Sequence, residues 1–210
     1  GGGGGGGRAL FWAKYVGVMG GKLTDLELRP ENVPEGAFLP VAAPPEPLVD
    51  FVKAHVPGWK VKLQLAKGQN RKFARAAAAP QARGSPRVLV VCAGARRCVA
   101  LLKGLAVFRC PVAKLFAKHM KIQEQQKLLK KCAPIAVGTP SRLLKLAQFG
   151  DLCLESTELI IFDMGKDVKQ MTILDVNGVK EDLMDFFKTT VLEPVRSRFN
   201  SDLPLKLALL

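Results

Sequence analysis

The fold is decided by residues 134–150, whose sequence is PIAVGTPSRLLKLAQFG. The short apolar run 134–137 is typical of a buried parallel strand. Thr139 suits a helix N-cap, where its hydroxyl accepts a backbone N–H, and Pro140 suits the first helical turn, where no N–H is needed. The spacing therefore predicts a strand, a tight turn and a helix over 140–149.

Working outward from this stretch, the same pairing of an apolar run with an amphipathic helix recurs along the chain. Predicted strands cover 87–92, 112–116, 134–137, 159–162 and 205–210; predicted helices cover 48–56, 95–107, 118–131, 140–149, 181–187 and 191–199. Strands that alternate with helices need right-handed crossovers, which produce a parallel sheet with helices on both faces. We therefore predict an α/β fold.

This α/β domain is predicted to occupy residues 86–210, and two segments precede it. Residues 1–47 begin with seven glycines, which we expect to be disordered, and end in a proline-rich stretch that predicts an extended, flexible arm. Residues 48–85 are predicted to form a short helix and a basic linker. The chain does not begin with methionine, so we expect a fragment of a longer protein.

Positive charge is concentrated in the middle of the chain, which has a net charge of +14. Residues 51–150 contain 21 basic residues and a single acidic residue, Glu124, whereas both flanking segments are mildly acidic. A surface of one sign suits a polyanion such as nucleic acid. A basic surface that contacts no nucleic acid, and a docking face for an acidic protein, remain the alternatives.

The cysteines and histidines indicate neither a metal site nor a disulfide framework. The five cysteines are Cys92, Cys98, Cys110, Cys132 and Cys153. Their number is odd and none forms a C-x-x-C pair, so we expect free thiols in a reducing compartment. No apolar run approaches the roughly 20 residues that span a bilayer, so we expect no membrane partner.

In an open α/β sheet, ligands bind beyond the carboxyl ends of the strands. There the free N–H groups that begin the helix over 140–149, with Arg142 beside them, would form a natural phosphate site. Arg96 and Arg97 follow the strand 87–92, where they could contact an RNA backbone or merely solvate a helix. The candidate RNA-binding residues are Arg96, Arg97, Thr139, Ser141 and Arg142 at the strand ends, and Lys60, Lys62, Arg71 and Lys72 in the basic linker.

Three segments resemble the DEAD-box RNA helicases. They are 137–144 (VGTPSRLL), which is similar to the T-P-G-R motif, 159–166 (LIIFDMGK), at the spacing of the D-E-A-D strand, and 87–105, at the place of the P-T-R-E-L strand and helix. The resemblance covers roughly residues 86–165. It implies a RecA-like, P-loop NTPase-like fold.

A closer likeness comes from segments 114–121 (KLFAKHMK), 137–140 and 161–163, which look like the Cms-one family. Its members are helicase-like components of the small-subunit processome, the 90S pre-ribosomal particle. The resemblance implies a protein of the nucleus and nucleolus whose partners are pre-ribosomal RNA and processome proteins.

The departures from the helicase pattern affect the ATP-hydrolysing residues. Hydrolysis needs a glycine loop with its lysine, a magnesium-holding aspartate and an acid beside it. Asp163 could hold magnesium, but Met164 replaces the neighbouring acid and Lys166 replaces the last one. The nearest approach to a phosphate loop, 17–22 (GVMGGK), is one residue short between its outer glycines. Ser141 replaces the motif glycine, which weakens the expected RNA grip.

We therefore expect a non-catalytic, degenerate RecA-like assembly factor with no catalytic residues, no cofactor and no small-molecule substrate. Two alternatives stay open: the first half of an ATP-dependent RNA helicase, and a protein-only interaction module.

Overall fold

The structure, a computed structural model, describes residues 4–63, 81–118, 120–131 and 133–210. Two of the predicted RNA-binding residues, Arg71 and Lys72, lie outside the described residues.

The five predicted strands are all present, and each lies within one residue of its predicted bounds. The strands are β1 Val88–Val91, β2 Val112–Leu115, β3 Ile135–Gly138, β4 Leu159–Phe162 and β5 Lys206–Leu209. The helices are α1 Gly4–Met19, α2 Leu48–His55, α3 Trp59–Leu63, α4 Ala95–Leu105, α5 Ile122–Leu129, α6 Pro140–Gln148, α7 Val179–Phe186 and α8 Leu192–Ser197. A short π-helical segment, Phe187–Val191, joins α7 to α8. Among these described helices, none has both the length and the apolar character needed to cross a bilayer.

The strands form one parallel sheet in the order β2-β3-β1-β4-β5. Val91 at the end of β1 is in register with Gly138 of β3 and with Phe162 of β4. The carboxyl ends of these three central strands therefore meet at one edge of the sheet. The predicted α/β fold with a parallel sheet is confirmed.

Helices cover both faces of the sheet because alternate strand residues point to opposite sides. On one face, Leu89 and Ile160 pack in a cluster that includes residues of α1, α5, α6 and α7. On the other face, Val90 and Ile161 pack in a cluster with residues of α2, α3 and α4. The continuous apolar runs of the central strands are thus buried on both sides.

For residues 4–47, the structure corrects the prediction of a flexible, extended arm over residues 1–47. Phe11 of α1 is completely buried, and its ring lies against Phe38, Phe162 and Phe187 at centroid distances of 5.4, 5.0 and 4.8 Å. The described part of the glycine run, Gly4–Gly7, forms the first turn of α1 instead of a disordered tail. Burial of aromatic surface compensates the entropy lost when the segment is ordered.

The proline-rich stretch also contacts the sheet. Phe38 forms a parallel bridge with Leu207 of β5, flanked by hydrogen bonds from Leu39 N to Leu207 O (2.7 Å) and from Leu207 N to Ala37 O (2.9 Å). Residues 37–39 therefore extend the sheet beyond β5. Sequence periodicity could not predict this pairing, because three residues are too few to show a strand pattern.

In the segment predicted to be a basic linker, the described residues include the unpredicted helix α3. Leu63 is buried, and Trp59 packs edge-on against Phe108 at a centroid distance of 5.8 Å. The start of this segment is therefore a packed part of the domain.

An ion pair fastens α1 to the loop before α7 and makes stability dependent on pH. The Lys14 ammonium lies 2.7 Å from the Asp175 carboxylate, and hydrogen bonds from Lys14 and Thr172 lower the pKa of Asp175 to about 2. In the unfolded chain, the pKa of an aspartate side chain is about 3.9. Because the folded-state pKa is depressed, the stabilisation is present above that value and is lost as pH falls toward 2.

We expect Asp175→Asn to lower the free energy of unfolding by roughly 0.5–1 kcal/mol at pH 7, since both partners are partly exposed. The difference in unfolding free energy between this variant and the parent chain should decrease steadily below pH 4, as measured by urea unfolding across a pH series. An effect that is constant from pH 7 to pH 2 would show that the carboxylate charge is not involved.

Candidate nucleic-acid interface at the strand ends

The carboxyl edge of the sheet brings three sequence-distant residues into one neighbourhood. Cys92 follows β1, Thr139 follows β3 and Asp163 follows β4. Backbone hydrogen bonds fix their relative positions, with Cys92 N donating to Gly138 O at 2.9 Å and Asp163 N to Val91 O at 2.9 Å. This is where an α/β sheet offers a ligand site.

The turn before α6 starts the helix as predicted, but not through the predicted bond. Thr139 is the N-cap residue, and Pro140 is buried at the first helical position. The Thr139 hydroxyl makes no capping hydrogen bond. The backbone N–H of Thr139 donates to Leu115 O at 3.1 Å. Ser141 is exposed.

Arg142 is held inside the domain and does not point freely toward a phosphate. Its Nη1 donates to the Gln125 Oε1 at 2.6 Å and to Met120 O at 3.3 Å. The Gln125 amide in turn donates to Lys114 O and Phe116 O, both at 2.9 Å. A polar chain therefore ties α6 through α5 to the edge strand β2.

Gln125 was not recognised in the sequence, where it is one glutamine among several in a charged helix. It is completely buried in the structure. Its role becomes visible only once α5 is packed against β2, because the bonds reach 9 to 17 residues along the chain.

Replacing Gln125 with leucine should lower the free energy of unfolding by roughly 1–3 kcal/mol, because two carbonyls lose their donor and Arg142 loses the nearer of its two acceptors. Replacement of the neighbouring Gln123, which is exposed, should change it by no more than about 0.5 kcal/mol. Chemical denaturation of both variants provides the comparison. Equal effects would mean that the network does not stabilise the fold.

Arg97 and Asp163 form a bidentate ion pair at the centre of the edge. Arg97 Nε lies 2.7 Å from Asp163 Oδ2, and Nη2 lies 2.8 Å from Oδ1. The carboxylate is buried, with 7% of its side chain exposed, and this hydrogen bonding raises the pKa of Arg97. Both oxygens that could face a metal ion are thus occupied by a guanidinium.

Because Gly165 has no side chain, the Arg97 guanidinium can pack closely against the backbone at that position. A Cβ atom at that position would lie 2.7 Å from the Arg97 Cζ, so a side chain there would push the guanidinium aside. Arg96, the neighbouring candidate, is exposed, as is Lys166. Of the arginines predicted from the sequence at this edge, Arg96 alone keeps an exposed guanidinium without a described partner.

The Cys92 thiol at this edge is not a nucleophile at neutral pH. A hydrogen bond with Cys98, together with burial, strongly raises the pKa of Cys92. Nucleophilic attack needs the thiolate. Cys92 and Cys98 are therefore the free, buried thiols that were expected.

A sheet-extending bridge, a loop and a helix follow one another in the N-terminal part of the chain. Residues 37–39 extend the sheet, 40–47 form the loop and α2 follows. A phosphate loop has this layout but supplies backbone N–H groups, glycines and a lysine. The loop here reads PVAAPPEP: its four prolines lack an N–H, it has no lysine, and Glu46 adds a negative charge.

This loop and the ion pair line a small cavity. Its walls include Pro45, Glu46, Arg97, Asp163 and Leu210, and its volume is about 210 Å³. Pockets for small-molecule ligands usually hold about 300–1,000 Å³. The cavity is therefore small for a nucleoside triphosphate. Since Arg97 neutralises Asp163, Glu46 gives the wall a net negative charge, which disfavours phosphates.

The two described linker candidates do not join this edge. Lys62 lies 2.6 Å from Glu158, which immediately precedes β4, so it sits at the amino ends of the strands. Lys60 is exposed, with its ammonium 5.8 Å from the centre of the Trp59 ring. The described candidate RNA-binding residues thus divide between the carboxyl ends and the amino ends of the strands.

Comparison with known families matches most of the chain to one family. Residues 9–202 match the model of the CMS1 family, described as a U3-containing 90S pre-ribosomal complex subunit. The chain belongs to the CMS1 family. This confirms the resemblance found in segments 114–121, 137–140 and 161–163.

Relatives in the CMS1 family are longer than this chain. It is 30% identical to human Protein CMSS1 over 176 residues, covering 82% of this chain and 58% of the human protein. It is 36% identical to Protein CMS1 of Chaetomium thermophilum over 129 residues, covering 59% of this chain and 50% of that protein. The match therefore spans between half and three-fifths of the length of these relatives.

Two solved structures are similar in part. A DEAD box protein from the hyperthermophile Methanococcus jannaschii is 18% identical with a TM-score of 0.44, covering 70% of this chain and 38% of that one. The yeast DEAD-box splicing factor Prp28 is 16% identical with a TM-score of 0.47, covering 70% of this chain and 34% of that one.

Proposed function

We propose that this CMS1-family chain is a non-catalytic RecA-like assembly factor of the 90S pre-ribosomal complex that associates with pre-ribosomal RNA. The family description places its members in that complex as a subunit. Such a role implies a nuclear, nucleolar protein whose neighbours are ribosomal RNA and other proteins of the particle.

The observation that carries the non-catalytic part is the bidentate ion pair between Arg97 and Asp163. In a working phosphoryl-transfer site, the aspartate at this strand end holds magnesium, and a neighbouring group positions the attacking water. Here the carboxylate is neutralised by a guanidinium, and Met164 follows it. The helicase alternative would require this pair to open and a lysine to arrive from elsewhere.

The loop 40–47 supports the same conclusion independently. Phosphates are bound by backbone N–H groups and a lysine at a helix start. Proline at positions 44, 45 and 47 removes three such donors immediately before α2. Both features line one small cavity.

The RNA-associated part rests on charge. The middle hundred residues hold 21 basic residues against one acidic residue. Among the predicted contacts, Arg96, Ser141 and Lys60 are exposed, whereas Arg97, Arg142 and Lys62 are bound to protein groups. Arg71 and Lys72 remain proposed contacts by sequence alone.

Crosslinking inside purified 90S particles tests the association. We expect ultraviolet crosslinks between this chain and pre-ribosomal RNA, located by sequencing the attached fragments and by mass spectrometry of the attached peptides. Particles that contain the chain but yield protein crosslinks only would favour the protein-only interaction module.

A further inference from the structure

Free positive charge in the described domain lies at two places. Near the carboxyl ends of the strands, Arg96, Lys118, Lys121 and Lys166 are exposed, but two of the three arginines predicted there as phosphate contacts are already bound. At the carboxyl edge, Arg97 is paired with Asp163 and Arg142 with Gln125. Basic side chains that already serve a protein partner are poorly placed to neutralise a phosphate, because they would have to leave that partner first.

A larger set of exposed cations surrounds the edge strand β2. Residues 103–131 contain eight basic residues and one acidic residue, Glu124. Six of them lie on β2 itself or toward its amino end: Lys103, Arg109, Lys114, Lys127, Lys130 and Lys131. All six are exposed, and among the described residues none has an ion pair or a side-chain hydrogen bond.

Chain topology explains why these six come together. Helices α4 and α5 run back against the parallel strands, so both end at the amino edge of the sheet. Lys103 is in the last turn of α4, and Lys127 is in the last turn of α5. Because α4 and α5 cover opposite faces, the cations surround the β2 edge from both sides.

Two local explanations account for only part of the set. Cations at a helix C-terminus interact favourably with the helix dipole, which suits Lys103 and Lys127. A lysine on an edge strand discourages pairing with another chain, which suits Lys114. Neither explanation covers Arg109, which lies between α4 and β2, or the lack of acidic residues around the set.

We propose that this β2-edge surface, made of the six residues above, is the main phosphate-binding surface of the chain and takes an RNA backbone. This inference rests on the RNA association proposed above. It places the principal RNA contact at β2 and not at the turn 139–142, which carries the helicase-like T-P-S-R sequence. RNA fits better than an acidic protein because six cations surround an exposed strand edge, and the same stretch of chain holds a single acidic residue, Glu124. Phosphate contacts of this kind need charge and little shape.

The test compares two variants from which three positive charges are removed. The surface variant is Lys127→Gln with Lys130→Gln and Lys131→Gln. The matched control is Lys22→Gln with Arg29→Gln and Lys169→Gln, which are also exposed and without a described partner. Binding of the full chain to a 20-nucleotide polyuridine is measured by fluorescence anisotropy between 50 and 300 mM salt.

We expect the surface variant to bind roughly 10- to 50-fold more weakly at about 0.15 M salt, and its log–log salt slope to fall by about 2. For the control variant, both the RNA affinity and the salt slope should decrease much less. Both variants should unfold at the same temperature as the parent chain, since all the changed residues are exposed.

The outcomes separate this inference from the proposed function. Equal weakening of both variants would overturn the β2-edge surface and leave RNA association standing. No RNA binding by the parent chain would overturn both. Binding of polyglutamate but not of polyuridine would overturn the inference in favour of an acidic protein partner.

Discussion

Replacing Phe11 with alanine is expected to lower the free energy of unfolding by about 3–5 kcal/mol. The ring is completely buried, and its centroid lies 4.8–5.4 Å from those of Phe38, Phe162 and Phe187. Those three rings belong to the 37–39 bridge segment, β4 and the π-helical segment. Truncation would leave a cavity where four parts of the chain meet, and the urea midpoint would report it.

Leu10 provides the matched control within α1. It is adjacent in sequence but 46% exposed. Leu10→Ala should change the free energy of unfolding by no more than about 0.5 kcal/mol. An equally small loss of unfolding free energy in both alanine variants would mean that α1 is not part of the core. Residues 1–47 would then have to be regarded as a flexible arm.

The second large effect is expected at the amino ends of the strands. Glu158 Oε1 lies 2.9 Å from Arg87 Nη1, and its Oε2 lies 2.6 Å from Lys62 Nζ. Arg87 is only 2% exposed and Glu158 only 7%. Glu158→Gln keeps the size of the side chain but removes the negative charge that the buried guanidinium faces. We expect a loss of about 3–5 kcal/mol.

Glu155 serves as the control, because it carries the same charge three residues earlier and is exposed. Glu155→Gln should leave the free energy of unfolding within about 0.5 kcal/mol of the parent value. A loss at Glu158 that is no larger than at Glu155 would contradict a buried ion-pair cluster. The cluster also explains why Lys62 does not serve as a free RNA contact.

The sheet could be predicted from sequence because its signal is local. Buried parallel strands read as continuous apolar runs, and 88–91, 135–138 and 159–162 all do so. The helices between them carry an apolar stripe at helical spacing and, for α6, a Thr-Pro start. Composition, periodicity and turn chemistry therefore agree over residues 86–210.

The N-terminal part could not be predicted because its structure depends on distant partners. The bridge from Phe38 to Leu207 spans most of the chain, and glycines and prolines mask any regular period around it. α1 begins in glycine, which has a low helix propensity. Its order comes from packing on β4 and the π-helical segment, which no local pattern records.

The candidate site was only partly predictable. The sequence identified Asp163 and Arg97 separately and indicated that the usual acid was missing. Their pairing required the strand order, because β1 must lie beside β4 before the start of α4 can face residue 163. The same reasoning applies to Arg142 and Gln125, which meet only when α5 packs on β2.

Whether the domain is non-catalytic is tested most directly by calorimetric titration of the full chain with ATP and magnesium, combined with a phosphate-release assay. We predict no binding heat and no phosphate release above the protein-free rate, because Arg97 occupies Asp163 and the loop 40–47 offers no lysine. A DEAD-box helicase in the same assay would serve as the positive control. Release of phosphate by this chain that disappears in Asp163→Asn would contradict a non-catalytic domain.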